Sequence, residues 1–319
     1  MTDSAYLYTY FKSRGNWQDD QRVFFAVSRD GLHFREINGH KPLIESDLGT
    51  KGLRDPHIFR SRIDRRFCLL ATDLDASSQK WKEFSVNGSR SILVARSDDL
   101  VHWEKELVPV CGDEIGCVWA PKVCFDEKED RYIMYFSGSG TTEVSMRVFY
   151  TTTKDFKTFT KPEILIDKYP NTEKKHYPYG LIYRKPQKYI THIDSTTIEV
   201  DGEFYRFTKN EALKIIEEEH SSGILSDYEI VTDCVAGEMG VEGPGIYKLL
   251  DSDTYILMMD GYIRPNKGVG YFPLAATTEE LKKGAFRRLR KDEYEFPERC
   301  KHGSVTTITE EEYRRLEAL

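Results

Sequence analysis

The chain has 319 residues, 39% of them hydrophobic and 13% aromatic, with 46 Lys and Arg against 53 Asp and Glu for a net charge of −7. That composition supports a packed core and excludes wholesale disorder, and the mild acidity without a basic run excludes nucleic acid and anionic membrane as partners. No window approaches the roughly 18 apolar residues of a membrane-spanning helix. The opening residues lack the basic start and apolar stretch of a signal peptide, so the expectation is a cytoplasmic protein. Its six cysteines, Cys68, Cys111, Cys117, Cys124, Cys234 and Cys300, form no CxxC pair and match no zinc spacing. They read as free thiols.

In chain order, the first strands are residues 6–11 and 23–27. The second of these runs into an Asp turn and an aromatic over residues 27–34 (VSRDGLHF). The same pattern returns at residues 95–103 and 152–159 and, more loosely, at 276–286, whereas the copy expected near 223–230 is faint. Five other segments, starting at Arg54, Trp119, His192, Glu242 and His302, each lead from a polar or aromatic residue into an apolar, β-rich run. Four are followed by an alternating strand, at residues 66–72, 131–137, 203–207 and 254–258, behind a turn such as Glu129-Asp130 or Asp201-Gly202. The fifth such strand is residues 6–11, at the front of the chain. Residues 211–219 read as a charged, helix-prone insertion. Thr309 and Glu312 form a capping box that opens a short helix over 310–316.

Strand triplets repeated five times predict an all-β, five-bladed β-propeller occupying residues 1–319 as one domain, ahead of a β-sandwich, which has no reason to repeat in threes. The ring would close by N-terminal strands joining the last inner strand, residues 302–308, which leaves no open edge. Inner strands line the axis of such a ring, so Asp55, Asp194 and Glu242 would converge there. Taken singly, each has a plainer reading: Asp55 as a turn residue before Pro56, Asp194 as a cap on the Ser195-Thr196 turn, Glu242 as a surface residue before a Gly-Pro turn. Gathering three carboxylates is costly, because like charges raise one another's pKa. Glycosidic cleavage needs that arrangement, one carboxyl protonated and another ionised.

Four motifs occur in order at blade spacing: Arg54-Asp55-Pro56, Trp119-Ala120-Pro121, His192-Ile193-Asp194 leading to Asp201-Gly202, and Val241-Glu242-Gly243-Pro244. Over residues 53–308 the chain resembles the five-bladed glycoside hydrolases of family 43, the arabinofuranosidases, arabinanases and β-xylosidases. The resemblance implies Asp55 as general base, Glu242 as general acid, and Asp194 as the residue that orients the acid and keeps its pKa raised. It implies inversion, with base and acid about 6.5–9.5 Å apart. Two residues depart from the pattern: Lys122 stands where the family usually has Asp, and Arg54 where a small residue, His or Asn is usual. Both read as changes of specificity.

Candidate substrate contacts are Arg54, Trp119, Lys122, His192, Arg264 and Tyr271, with Trp119 equally readable as core and His192 as a residue satisfying a neighbouring blade. His302 resembles the histidine that faces an axial calcium ion in parts of the family; a metal-free, hydrogen-bonded axial residue is the other reading, and no cofactor is otherwise required. Trp17, Trp81 and Trp103 read as packing or loop residues. The expected activity is exo-acting release of an α-L-arabinofuranosyl or β-D-xylosyl end group from short oligosaccharides. The alternatives are a non-catalytic sugar-binding propeller, a galactosidase or galactofuranosidase, a fructan-type hydrolase, whose Asn-Asp-Pro and Glu-Cys motifs are absent, and a protein-binding repeat propeller.

Overall fold

The computed structural model describes residues 2–13, 20–166 and 191–319; Trp17 lies outside them. The chain begins with β1 (Asp3–Lys12), β2 (Phe24–Ser28) and β3 (Arg35–Glu36), whose sheet is completed by the last strand, β20 (Cys300–Thr309). Four antiparallel sheets lie between, each in chain order from the axis outward. They comprise β4 (Leu53–Arg60), β5 (Phe67–Asp73), β6 (Ser91–Ser97) and β7 (Glu104–Pro109); β8 (Trp119–Asp126), β9 (Arg131–Gly138), β10 (Arg147–Thr153) and β11 (Glu163–Ile166); β12 (His192–Val200), β13 (Glu203–Asn210), β14 (Ile215–Ser221) and β15 (Glu229–Thr232); and β16 (Val241–Lys248), β17 (Thr254–Gly261), β18 (Gly270–Thr277) and β19 (Arg287–Arg288). The inner strands β4, β8, β12, β16 and β20 touch in that order and close on β4. This is a five-bladed β-propeller.

Apolar residues alternate along the strands, so each sheet offers a greasy face to both neighbours. Among the described residues, five hydrophobic clusters result, one at each junction between blades. Closure is as the sequence predicts: β1 pairs with β20 from Tyr6↔Thr307 to Tyr10↔Gly303 and with β2 on its other edge. The helix α3 (Glu310–Glu317) carries the capping box on Thr309 and buries Tyr313 and Leu316 against β1 and β2. The turns after β2, β6 and β10 share one device. In each, an aspartate (Asp30, Asp99, Asp155) accepts hydrogen bonds from the second and third backbone N–H that follow it.

Three expectations are corrected. Each sheet has a fourth, outermost strand that the triplets did not reveal, because β3, β7, β11, β15 and β19 are short and charged, as exposed edges tend to be. Residues 211–219 are not a helical insertion; most belong to strand β14. Two of its three glutamates are buried with partners in their own sheet: Glu217 with His192 and Asn210, Glu219 with Arg206. Residues 276–281 are the end of β18 followed by a one-turn helix, α2 (Thr278–Leu281), capped by Thr277 and Glu280. All six cysteines are unpaired. No helix among the described residues is long and apolar enough to cross a membrane.

Candidate active site

Four inner strands carry a bulge at their axial start, between Arg54 and His57, Trp119 and Lys122, Ile193 and Ser195, and Glu242 and Gly245. At each bulge one residue has a left-handed backbone: Asp55 (φ 51°), Ala120 (φ 49°), Asp194 (φ 51°) and Gly243 (φ 55°). Bulges re-aim side chains and Asp tolerates this conformation. At Gly243 a side chain is also sterically impossible, since a Cβ would lie 2.3 Å from the His302 ring.

The bulges bring Asp55, Asp194 and Glu242 around His302. Asp55 accepts a hydrogen bond from Thr72 Oγ1 at 2.8 Å, and its other oxygen lies 3.2 Å from His302 Nδ1. Thr72 accepts in turn from the Ala120 backbone N–H, tying β5 to β8. His302 Nε2 is 3.3 Å from both Glu242 and the fully buried Asp260, held by charge and aligned with neither as a hydrogen bond. Glu242 accepts from Lys209 Nζ at 2.9 Å and lies 3.7 Å from Lys301 Nζ, which itself pairs with Asp260. Asp194 accepts from the Gly243 N–H at 3.2 Å, and its own N–H donates to Ser137.

These contacts set the charges. Burial pushes Asp55 and Glu242 up, but the cations overrule it: His302 and Arg54 lower Asp55, and Lys209, His302 and Lys301 hold Glu242 well below the usual carboxylate range. Burial opposes charge on His302 too, yet Asp260, Asp55 and Glu242 raise it far above an ordinary imidazole. Asp194 is raised, by burial first, with Glu242 and Asp55 adding and His302 and Lys209 opposing. The surroundings thus favour the charged form of Glu242 and the neutral form of Asp194.

The family model for a probable glycosyl hydrolase domain, related to family 43, matches residues 2–314. The chain belongs to that family. An α-L-arabinofuranosidase of Bifidobacterium longum subsp. longum is 29% identical over 230 residues, 66% of this chain but 20% of that protein, so the chain spans a fifth of that relative's length. An endo-1,4-β-xylanase of Bacteroides thetaiotaomicron superposes with a TM-score of 0.59 at 12% identity, covering 94% of this chain and 93% of that one. A mutant α-L-arabinanase of Cellvibrio cellulosa gives 0.56 at 12% identity, covering 90% and 95%. At such identities the likeness to both structures is one of fold.

In this family 43 propeller the sequence-derived substrate contacts divide. Arg54 and Trp119 stand together at the mouth. The Arg54 guanidinium lies 4.4 Å over the Phe11 ring and 5.6 Å over Trp81, and Trp81, at the start of helix α1 (Trp81–Asn87), meets Trp119 edge-on at 6.4 Å. Arg54 Nη1 is buried without a hydrogen-bond partner among the described residues. Lys122 lies within the bore. Arg264 is exposed on the segment from β17 to β18, at the end of the ring where Glu242 begins. Tyr271 and His192 are corrections. Tyr271 is buried behind the inner strands, donating its hydroxyl to Gly243 O, and His192 is buried against Glu217 within its own blade. Trp81 is a rim residue, while Trp103 packs on Phe25 as expected.

His302, the candidate axial metal ligand, stands beside two carboxylates. Asp194, Glu242 and His302 do place donor atoms within 4.8 Å of one another. Calcium takes six to eight oxygen ligands, waters included; here Glu242 also accepts from Lys209 and Asp55 from Thr72.

Sequence reading missed Thr72, Lys209, Asp260, Lys301 and Phe11. A signal existed for several of them. In a hairpin, the end of the second strand lies beside the start of the inner one, and Arg54↔Thr72, Trp119↔Ser137, Ile193↔Lys209 and Glu242↔Asp260 are the observed pairs. Polar residues closing otherwise apolar second strands therefore face the axis.

Proposed function

We propose that this domain is an inverting, exo-acting glycosidase that releases α-L-arabinofuranosyl or β-D-xylosyl ends from short oligosaccharides. The observation that carries the reading is the placing of Asp55 and Glu242 on opposite edges of the His302 ring. An imidazole with a carboxylate contact on each side separates the two by more than the about 5–5.5 Å of a retaining pair, as an inverting pair requires. Asp55, held ionised, deprotonates the attacking water. Glu242 protonates the leaving oxygen after taking up a proton, and Asp194, bonded to the N–H of Gly243, holds the backbone next to it. Trp119 and Trp81 offer aromatic faces to the apolar side of a sugar ring, and Arg54 Nη1 offers a free donor to its hydroxyls. The arabinofuranosidase named above supports the choice of sugar.

The test is turnover of 4-nitrophenyl α-L-arabinofuranoside, β-D-xyloside and β-D-galactoside by wild type, Asp55→Asn and Glu242→Gln. We expect one pentoside to be cleaved, with kcat reduced by about 100-fold or more in each variant. Turnover that persists in both variants would refute the assignment.

A further inference from the structure

Given the glycosidase reading above, we infer that the oligosaccharide taken by this site is acidic: an anionic group on it, a uronate carboxylate or a phosphate ester, docks on the Arg54 guanidinium. Arg54 is half-buried on β4, one residue before Asp55. Its guanidinium lies over two rings, Phe11 at 4.4 Å and Trp81 at 5.6 Å. Stacking of this kind holds the group by its faces and leaves the N–H donors around its edge for a ligand. Among the described residues Arg54 makes no hydrogen bond and no ion pair, and its Nη1 is shut off from water as well.

Sheltered arginines elsewhere in the ring answer a carboxylate. Arg60 holds Glu312, Arg96 holds Glu106, Arg206 holds Glu219 and Arg288 holds Glu238. Asp55 follows Arg54 in sequence yet does not serve it, since its oxygens turn to Thr72 and His302. Glu242 and Asp260 are held too, by Lys209 and Lys301. A charged donor withdrawn from water without a partner is costly, and an incoming anion removes that cost. A neutral hydroxyl meets one N–H and leaves the charge unanswered, whereas a carboxylate or phosphate accepts two parallel bonds from the same fork. The position is that of a substrate contact. Phe11, beneath the guanidinium, also meets the His302 ring edge-on at 5.8 Å, and Trp81 continues to Trp119. The anion thus stands one aromatic ring away from His302, which Asp55 and Glu242 flank.

The test is titration calorimetry on wild type, Arg54→Gln and Arg54→Lys. The probes are methyl D-glucuronoside, its neutral methyl ester, methyl D-glucoside and glucose 6-phosphate. Wild type should bind one of the two anions about 10- to 100-fold more tightly than the ester and the glucoside. The preferred anion then names the group, carboxylate or phosphate. Arg54→Gln, which keeps a donor without the charge, should lose that preference. Arg54→Lys, which keeps the charge without the fork, should retain part of it. Wild type that binds charged and neutral probes equally, or binds none of them, overturns the inference, as does a preference that survives in Arg54→Gln. If the variants do not fold, the wild-type comparison still decides. No bond is cleaved in this measurement, so a preference found in a protein that turns over no pentoside would refute the proposed reaction and leave the acidic ligand standing.

Discussion

At the scale of single residues, the environment of Glu242 makes the sharpest demand. A general acid must hold a proton, yet Lys209, His302 and Lys301 all favour the carboxylate. A lowered acid pKa places the falling, basic limb of the rate profile at low pH. Removing an adjacent cation raises a carboxyl pKa by about 1–3 units, so Lys209→Met should move the basic limb of kcat/KM upward by about that amount. An unmoved limb would show that Glu242 is not the proton donor. The three carboxylates were legible in the sequence because each sits in a bulge motif, Asp55-Pro56, Asp194-Ser195 or Glu242-Gly243-Pro244, that interrupts an otherwise regular strand. Lys209, Thr72 and Asp260 were not, because their importance comes from register: nothing local distinguishes a lysine ending a second strand from one that meets a glutamate of the neighbouring blade. Tyr271 and His192 were misread for the converse reason. Both are polar residues near motifs, but both turn away from the axis toward acceptors in their own blade.

At the scale of elements, β14 shows how charge can hide a strand. Three consecutive glutamates suggest a solvated helix, yet Glu217 and Glu219 are held by His192, Asn210 and Arg206 on paired strands. Glu218 points to the other face. It is fully buried, neither of its oxygens has a hydrogen-bond partner among the described residues, and burial pushes its carboxyl up to about 8. The folded state thus binds a proton that the unfolded state releases near the ordinary value of 4.5. The resulting stability is full below that value and is lost as pH rises toward 8, by on the order of 3–4 kcal/mol. Glu218→Met, which fills similar space without a charge, should flatten that decline. Calorimetric Tm values from pH 5 to 9 check this: the variant should overtake wild type on the alkaline side, and parallel curves would mean that Glu218 finds a partner.

At the scale of the molecule, stability and site geometry share one seam. β1 joins β20, and Tyr8 on β1 stacks on Tyr10 and Tyr271 while donating its hydroxyl to Lys301 O at 3.0 Å. Tyr8→Phe should cost about 1 kcal/mol through the lost hydrogen bond, and Tyr8→Ala about 3–5 kcal/mol through the cavity it leaves. Both variants should melt in a single transition, with kcat falling in step because Lys301 and His302 are displaced. Separate melting of the seam would contradict a ring that opens as one unit. Fold and closure were readable in the sequence because the missing fifth copy of the second strand reappeared at residues 6–11.

The same seam governs when the site can exist during biosynthesis. His302 is the residue around which Asp55, Glu242 and Asp260 assemble, and it lies on the propeller's last strand, which pairs with its first. Until residues beyond 302 have left the ribosome, the nascent chain carries its carboxylates without the imidazolium that balances them. β1 must therefore wait, unpaired along one edge, until the four blades between it and β20 have been made. That edge is the surface on which a chaperone has most to do.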